Sequence, residues 1–213
     1  MDSYGRYKNA RNASWQCLID YHVNALPVKI SAVARQAGCR LAPYSKSQHL
    51  ISRLGLESLT QNSGFCARLY DGNILIFYDD RNPPYRIRFT IGHELGHILL
   101  GHPMIKGTGC TFTHRNREQD PQDDPFEVEA NVFARDVLAP ACVLWGLQLH
   151  TAVEIAQVCD ISLTCGAYRA QRMGVLYTRE REFLKTRGRS CFLMHPLEQR
   201  VFEQFQDYIN RHK

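Results

Sequence analysis

The segment at residues 88–102, RFTIGHELGHILLGH, constrains the fold most strongly because it has the pattern of one helix with two opposite faces. In an α-helix, His93 and His97 lie about 40° apart around the axis and about 6 Å apart along it, so both imidazoles can reach one ion. The apolar residues fall on the other side of the same helix: Ile91, Leu95, Ile98 and Leu99. The pattern predicts a helix with one face in a core and a metal-binding face opposite.

Two glycines lie on a single stripe of this predicted helix. Gly92 and Gly96 are four residues apart and therefore share a face. A glycine inside a helix costs about 1 kcal/mol relative to alanine, so two of them need a packing reason. They predict that another backbone approaches the helix closely at this stripe.

Glu94 flanks the two histidines in the sequence His-Glu-Leu-Gly-His. In zinc peptidases with the HExxH pattern, the glutamate is a general base that takes a proton from the attacking water and passes it to the leaving amine. The pattern alone is only moderately specific, because a helix can carry it by chance. A third ligand is needed to complete a metal site.

A second helix is predicted over residues 126–139, within FEVEANVFARDVLAP, and offers two glutamates. Glu127 lies about 60° from the centre of its apolar face and Glu129 about 100°. Glu129 shares its side of the helix with Asp136, which we interpret as the solvent side. Glu127 is therefore the preferred third ligand and Glu129 the alternative. Asn131, one turn after Glu127, is predicted to support the site through a hydrogen bond.

The remaining polar side chains give weaker signals. His102 and His114 lie near the motif in sequence, but each is interpreted as a loop histidine. His150, Tyr85 and Tyr168 are candidates for stabilising an oxyanion, and the sequence does not select among them.

The rest of the chain alternates predicted helices, one hairpin and one long loop. Helices are predicted over residues 10–26, 31–37 and 47–54. Two more are predicted to begin after the N-caps Thr151 and Ser162, and a last one lies in the tail from Pro196. FCARLYDGNILIFYDD predicts a β-hairpin that turns at Asp71-Gly72-Asn73. Asn82 is the predicted N-cap of the HELGH helix, with Pro83 at its first position. The polar stretch at 106–125 is predicted to be a long loop.

The composition is that of an ordinary globular protein without an export or membrane signal. The net charge of +5 and the pI of about 8.8 are only mildly basic, which does not by itself indicate nucleic acid. The 8 cysteines form no CxxC pair, and most are expected to be buried thiols in a reducing compartment. No signal peptide and no membrane-length apolar run is found, so a cytoplasmic location is predicted and no membrane partner is expected.

Residues 151–173 have a sequence pattern typical of a helix-turn-helix motif, and this gives the main alternative to the metallopeptidase interpretation. Arg169, Arg172 and the downstream run TREREFLKTRGR would favour DNA binding, although acidic residues interrupt that run. The competing functions are a DNA-binding module and a non-catalytic regulatory or toxin–antitoxin component.

Several motifs together resemble the ImmA/IrrE family of bacterial and phage metallopeptidases. FTIGHELGH and EVEANVFARDVLAP are similar to that family's two metal-binding motifs and occur in its order. NALPVKISAVARQAG and NILIFYDD precede them, and EIAQVCDISLTCGAYRAQRM follows, so the resemblance covers roughly residues 10–177. VLAP stands where the family usually has LLMP, a change of core residues.

The resemblance implies an α+β fold of the small zincin-like, gluzincin type. A short antiparallel sheet is expected to pack on the HExxH helix, with several further helices around them. The metallopeptidase domain is expected over residues 1–177, including the helix-turn-helix-like helices at 151–173. Residues 178–213 are expected to form a C-terminal extension with a terminal amphipathic helix.

The resemblance also implies a site and a substrate class. It implies His93, His97 and Glu127 as ligands of Zn²⁺, with Mn²⁺ or another divalent ion as alternatives, and Glu94 as the catalytic residue of an endopeptidase. Members of the family cleave or inactivate a helix-turn-helix repressor. The expected role is therefore that of an anti-repressor for a mobile element, a prophage or a stress regulon.

A binding mode for the substrate can also be predicted. An extended peptide commonly adds to the edge of a sheet. We expect the substrate strand to add beside residues 73–78 of the predicted hairpin.

Overall fold

The computed structural model describes residues 3–107, 109–113 and 124–213. The helices in these ranges are α1 (Ser3–Asp20), α2 (Ile30–Gln36), α3 (Tyr44–Arg53), a 3₁₀ helix (Glu57–Gln61), α4 (Pro84–Leu99), α5 (Pro125–Leu138), α6 (Ala141–Gly146), α7 (Ala152–Cys159), α8 (Leu163–Arg187), α9 (Pro196–Gln204) and α10 (Gln206–His212). The strands are β1 (Cys39–Pro43), β2 (Gly64–Leu69), β3 (Ile74–Tyr78), β4 (Met104–Gly107) and β5 (Cys110–Thr113). The predicted α+β class is confirmed.

The chain forms two compact units, each built from two stretches of sequence. The first contains Met1–Ala13 and Lys29–Arg135, and the second contains Ser14–Val28 and Asp136–Lys213. The predicted division after residue 177 stays a prediction, and that position lies within α8. In the described ranges, no helix is long and apolar enough to cross a membrane.

The sheet of the first unit is mixed rather than purely antiparallel. Its strand order is β1-β3-β2-β5-β4. The predicted hairpin of β2 and β3 is confirmed, with Gly72 at φ 86° in its turn. β1 was not predicted, and it pairs with β3 in parallel. The segment between β1 and β3 contains α3, the 3₁₀ helix and β2, which is long enough for the crossover that a parallel pair requires.

A second hairpin occupies the start of the predicted long loop. β4 and β5 pair with each other, and β5 continues the sheet beside β2. Gly109, at φ 84°, lies in the tight connection between them. The loop prediction for residues 106–125 was therefore wrong at its beginning. Residues 114–123, including His114, lie outside the described residues.

Both faces of the sheet are covered within the first unit. One face carries a cluster with α3, made of Ala42, Tyr44, Ile51, Leu54, Leu56, Phe65, Ala67, Leu75, Phe77 and Cys110. On the opposite face, a Cβ at Gly64 would overlap the side chain of Thr90, so α4 lies close against β2 there. The predicted core residues Ile91 and Leu95 of α4 are 1% and 0% exposed, but Leu99 is 39% exposed because it ends the helix.

The sequence predicted that another backbone approaches the glycine stripe of α4, and this is confirmed, the backbone being that of α5. An ideal Cβ on Gly92 would lie 3.7 Å from the Cα of Ala134, and one on Gly96 would lie 3.3 Å from the Cα of Ala130. The missing side chains let the α5 backbone approach α4. This approach brings the glutamates of α5 toward the histidines of α4.

Gly96→Ala is expected to destabilise the first unit, whereas Gly92→Ala is expected to be tolerated. The new methyl on residue 96 would lie 3.0 Å from Cδ1 of the fully buried Phe133 and 3.3 Å from the backbone Cα of Ala130. Overpacking of this kind costs about 1–3 kcal/mol, more than the roughly 1 kcal/mol that alanine adds in helix propensity. At Gly92 the nearest atom is at an ordinary contact distance of 3.5 Å. Urea unfolding of both variants measures the difference, and a more stable Gly96→Ala would contradict the packing account.

Two predicted helix boundaries were wrong. α1 ends at Asp20 rather than near residue 26, because His22 takes a left-handed conformation at φ 51° that stops the helix. The N-cap of α4 is Pro83, not Asn82, and Pro84 occupies the first turn. The side chain of Asn82 instead donates to the carbonyl oxygen of Asp79.

The predicted caps in the second unit are confirmed. Thr151 accepts a hydrogen bond from the Glu154 N–H, and the Glu154 carboxylate accepts one from the Thr151 N–H, a complete capping box. Ser162 caps α8 by accepting from the Cys165 N–H at 3.1 Å. α8 continues to Arg187, well beyond residue 173, where the predicted helix-turn-helix segment ends.

A buried ion pair in the second unit corrects the expectation that Asp136 faces solvent. Asp136 is 5% exposed and accepts a hydrogen bond from Arg169 at 2.9 Å. The same guanidinium donates to the carbonyl oxygen of Ala139. A helical wheel counts every charge as solvent-facing, so it misses a carboxylate that has a buried partner.

The tail of the second unit keeps its predicted apolar face on two helices instead of one. Val201, Phe205 and Ile209 are buried, and the break between α9 and α10 falls at Phe205.

All eight cysteines are free thiols, and six of them are buried.

Candidate metal centre

The two histidines of the HELGH motif face each other on α4. His93 and His97 are 7% and 1% exposed. Because they are four residues apart, the two side chains share one face of the helix. Their Nε2 atoms lie 3.0 Å apart. Both Nε2 atoms therefore point to one place.

Glu127 brings a carboxylate to the same place from the first turn of α5. Its Oε2 lies 3.2 Å from Nε2 of His93, and its Oε1 lies 3.4 Å from Nε2 of His97. The start of α5 is held by Asp124, whose side chain accepts from the Phe126 N–H at 2.9 Å. Among the described residues, His93, His97 and Glu127 form a cluster whose ligand atoms all lie within 4.8 Å of one another.

The spacing of these atoms fits a small divalent ion. On a tetrahedron with zinc–ligand bonds of about 2.0–2.1 Å, two ligand atoms lie about 3.3 Å apart. The three separations here, 3.0, 3.2 and 3.4 Å, are close to that value. Two imidazoles and one carboxylate are also a donor set that catalytic zinc sites use. A Mn²⁺ ion takes the same ligand types, so the donor set does not select between the metals.

Asn131 sets the orientation of His93. Its Oδ1 lies 2.9 Å from Nδ1 of His93, and an amide oxygen can only accept a hydrogen bond. Nδ1 of His93 must then carry the hydrogen, which leaves the Nε2 lone pair directed at the cluster. A hydrogen-bond partner of this kind fixes both the tautomer and the ring position of a metal-binding histidine.

His102 lies against the other histidine, a position that the sequence analysis missed. Its Nδ1 is 2.9 Å from Nδ1 of His97, and its side chain is buried. Burial, and then His97 beside it, lower the pKa of His102 to about 4. His102 is therefore neutral at pH 7 and has one N–H to donate.

The end of α4 explains how a residue beyond the helix returns to it. The His102 N–H donates to the carbonyl of His97 at 3.0 Å, and the Gly101 N–H donates to that of Ile98 at 3.2 Å. These two bonds form a Schellman motif, with Gly101 at φ 67° in the left-handed position. The motif folds residue 102 back over residue 97. The Leu-Gly-His that follows HELGH was the signal that could have predicted this contact.

Glu129, the alternative ligand, has a different neighbour. Its Oε2 lies 3.0 Å from Nε2 of His102, and its side chain is 15% exposed. Glu129 was interpreted as lying on the solvent side of α5, and this was wrong. The helical wheel could not reveal the partner, because His102 reaches Glu129 only through the turn after α4.

Glu94 is completely buried, in contrast to most glutamates on helices. It follows His93 directly on α4, so its backbone position beside the cluster is fixed by the same helix. The ring of Phe89 lies near that of His93, with centroids 6.4 Å apart. The part of α4 that carries the motif is thus shielded from bulk water.

The three oxyanion candidates receive no assignment. Tyr85 is 41% exposed in the first turn of α4 and lies about 12 Å along the helix from His93. His150 and Tyr168 belong to the second unit, where the His150 ring packs at a tilt against Tyr177 with a centroid distance of 4.4 Å and Tyr168 is exposed.

Comparison with known families identifies the chain by its central region. The family model of peptidase family M78, described as the IrrE N-terminal-like domain, matches residues 53–171. The matched residues run from the end of α3 into α8 and include the whole histidine and glutamate cluster. A comparison with curated proteins returns no match. Because the matched region is more than half of its length, the chain belongs to peptidase family M78, and the resemblance to ImmA/IrrE proteins is confirmed.

Proposed function

We propose that the protein is a metal-dependent endopeptidase that holds one Zn²⁺ ion between His93, His97 and Glu127. The observation that carries this proposal is the cluster of two Nε2 atoms, 3.0 Å apart, with the Glu127 carboxylate, whose Oε2 lies 3.2 Å from one of them and whose Oε1 lies 3.4 Å from the other. Membership of a peptidase family supports hydrolysis of a peptide bond. Mn²⁺ is the alternative ion, because the ligand types suit both metals.

In this proposal Glu94 is the general base. When bound, the divalent ion supplies Lewis-acid activation of a water molecule and of the scissile carbonyl. The Glu94 carboxylate accepts the proton of the attacking water and delivers it to the nitrogen of the leaving amine. His93 and His97 keep their Nδ1 hydrogens throughout, because Asn131 and His102 accept hydrogen bonds from them.

We assign the proposed substrate-binding edge to β4 instead of β3. β3 lies between β1 and β2 and has no free edge, so a substrate strand cannot add beside residues 73–78 as expected. β4 lies at one end of the sheet and begins two residues after His102. An extended peptide adding to β4 would therefore bind to the strand that follows the metal-binding helix most directly.

The proposed substrate is a helix-turn-helix repressor, as in related proteins of the ImmA/IrrE family. The test is incubation of the purified protein with the repressor encoded beside its gene, followed by mass spectrometry of the fragments. We expect cleavage at one bond, loss of cleavage with a chelator, and recovery after zinc is added back. An intact repressor under all these conditions would contradict the substrate assignment, and cleavage that survives the chelator would contradict metal dependence.

DNA binding by residues 151–173 remains the alternative, although one of the two arginines that favoured it is buried. α7 and α8 have the helix–turn–helix order, with Asp160 left-handed in the turn. However, Arg169 is 3% exposed and paired with Asp136, so it cannot contact a phosphate. Arg172 is exposed and remains available. A salt-dependent mobility shift on duplex DNA would favour this alternative.

A further inference from the structure

A continuous line of hydrogen bonds leads from the cluster to a second carboxylate. Nδ1 of His97 is 2.9 Å from Nδ1 of His102, and Nε2 of His102 is 3.0 Å from Oε2 of Glu129. Neither His102 nor Glu129 belongs to the proposed ligand set. All three side chains are at least 85% shielded, since their exposed fractions are 1%, 4% and 15%.

The hydrogen atoms on this line can be assigned one by one. A metal ligand at Nε2 of His97 requires that its Nδ1 carry a hydrogen, so Nδ1 of His97 donates to Nδ1 of His102. Nδ1 of His102 then accepts, and a neutral imidazole must carry its hydrogen on Nε2. That Nε2–H donates to Glu129, which as a carboxylate can only accept. Only one arrangement of hydrogens satisfies every contact.

We propose that His102 and Glu129 are positioning residues of the metal centre, which hold His97 in the Nδ1–H form and increase its strength as a ligand. This inference rests on the proposed function, because it needs a metal ion on Nε2 of His97. A charged acceptor two bonds away polarises the line of hydrogen bonds and makes the outward nitrogen more basic.

The two histidines are thus supported unequally. His93 donates to the neutral amide of Asn131, while His97 connects through His102 to the Glu129 carboxylate. The position that His102 occupies in a Schellman motif usually holds an apolar residue that packs on the last turn. An imidazole there, hydrogen-bonded at both nitrogens, is explained by its two partners and not by packing alone.

The first test compares zinc affinities by competition with a chromogenic chelator. His102→Leu fills the same space with the apolar residue that the motif favours, and Glu129→Gln keeps the shape and an acceptor but removes the charge. We expect His102→Leu to weaken zinc binding by about 10- to 100-fold and Glu129→Gln by less. The double variant should bind no more weakly than His102→Leu alone, because Glu129 acts through His102.

A matched control and a measurement on the unchanged protein complete the design. Glu182→Gln removes an exposed carboxylate from α8 and is expected to leave zinc affinity unchanged. In the zinc-loaded wild type, long-range ¹H–¹⁵N spectra of the histidine rings should show His102 with its hydrogen on Nε2. The Glu129 carboxylate requires this tautomer, so the spectra check that the line of hydrogen bonds is formed, while the zinc affinities test its effect on the metal centre. The measurement needs no substitution that could disturb folding.

The outcomes separate this inference from the function on which it rests. Zinc binding by the wild type together with undiminished affinity in His102→Leu would overturn the positioning role alone. A His102 tautomer with its hydrogen on Nδ1 would overturn it as well. Absence of zinc binding by the wild type would overturn the proposed function and the positioning role together.

Discussion

Glu94→Gln is expected to abolish peptide-bond hydrolysis while the protein still binds its metal ion. The substitution keeps the shape of a side chain that is 0% exposed, so the packing around α4 should survive. An amide cannot accept a proton from water, and loss of a general base typically reduces the rate by about 10²- to 10⁴-fold. The measurement is cleavage of the repressor at matched zinc occupancy, with metal content determined on the same samples.

The control for this variant is the same exchange at a glutamate without a proposed role. Glu182→Gln on the exposed side of α8 should cleave at the wild-type rate. Full activity in Glu94→Gln would remove Glu94 from the mechanism. Loss of both metal and activity would also count against the assignment, because it would make Glu94 a structural support of the site.

Glu127→Gln is expected to reduce zinc affinity by more than about 100-fold. A neutral amide is a poor ligand, and loss of a direct ligand should exceed the 10- to 100-fold cost of losing an outer hydrogen-bond partner. The charge also matters, since the Glu127 carboxylate lies 3.2 and 3.4 Å from two imidazole nitrogens. Chelator competition measures the affinity, and circular dichroism of the metal-free protein checks that α5 remains folded.

Comparison with Glu129→Gln decides between the two glutamates of α5. If Glu127 is the ligand, its variant should lose far more zinc affinity than the Glu129 variant. The reverse order would assign the third ligand to Glu129. Equal losses would contradict the different roles that we give to the two carboxylates.

The elements that position the site were predictable because they follow from local periodicity. α4 and α5 carry apolar residues at helical spacing, and the spacing of His93 and His97 needs no information beyond one helix. The two glycines of α4 also indicated that another backbone approaches the helix closely, although not that it is α5. The choice of Glu127 stays a prediction, because it assumed that Glu129 shares a solvent-facing side with Asp136, and both side chains are in fact shielded.

The features that the sequence analysis missed depend on contacts between distant segments. β1 is a five-residue strand ending in proline, and it gains its place only by pairing with β3. β4 and β5 are four residues each, too short to show an alternating pattern. Short strands of this kind are stabilised by their neighbours in the sheet, which a local pattern does not contain.

The contacts of His102 were missed for the same reason, because they depend on residues that are distant in sequence. A histidine after a helix is usually a loop residue, and only the Schellman turn at Gly101 returns it to His97. Its contact with Glu129 joins the turn after α4 to the first turns of α5, 27 residues later. A reader of the sequence could have recognised the turn, but not the partner.

The most direct test of the central claim is X-ray diffraction from zinc-soaked crystals at energies on both sides of the zinc absorption edge. The account predicts one anomalous peak about 2.0–2.2 Å from Nε2 of His93, from Nε2 of His97 and from a carboxylate oxygen of Glu127. A peak at other residues, or no peak at this cluster, would contradict it.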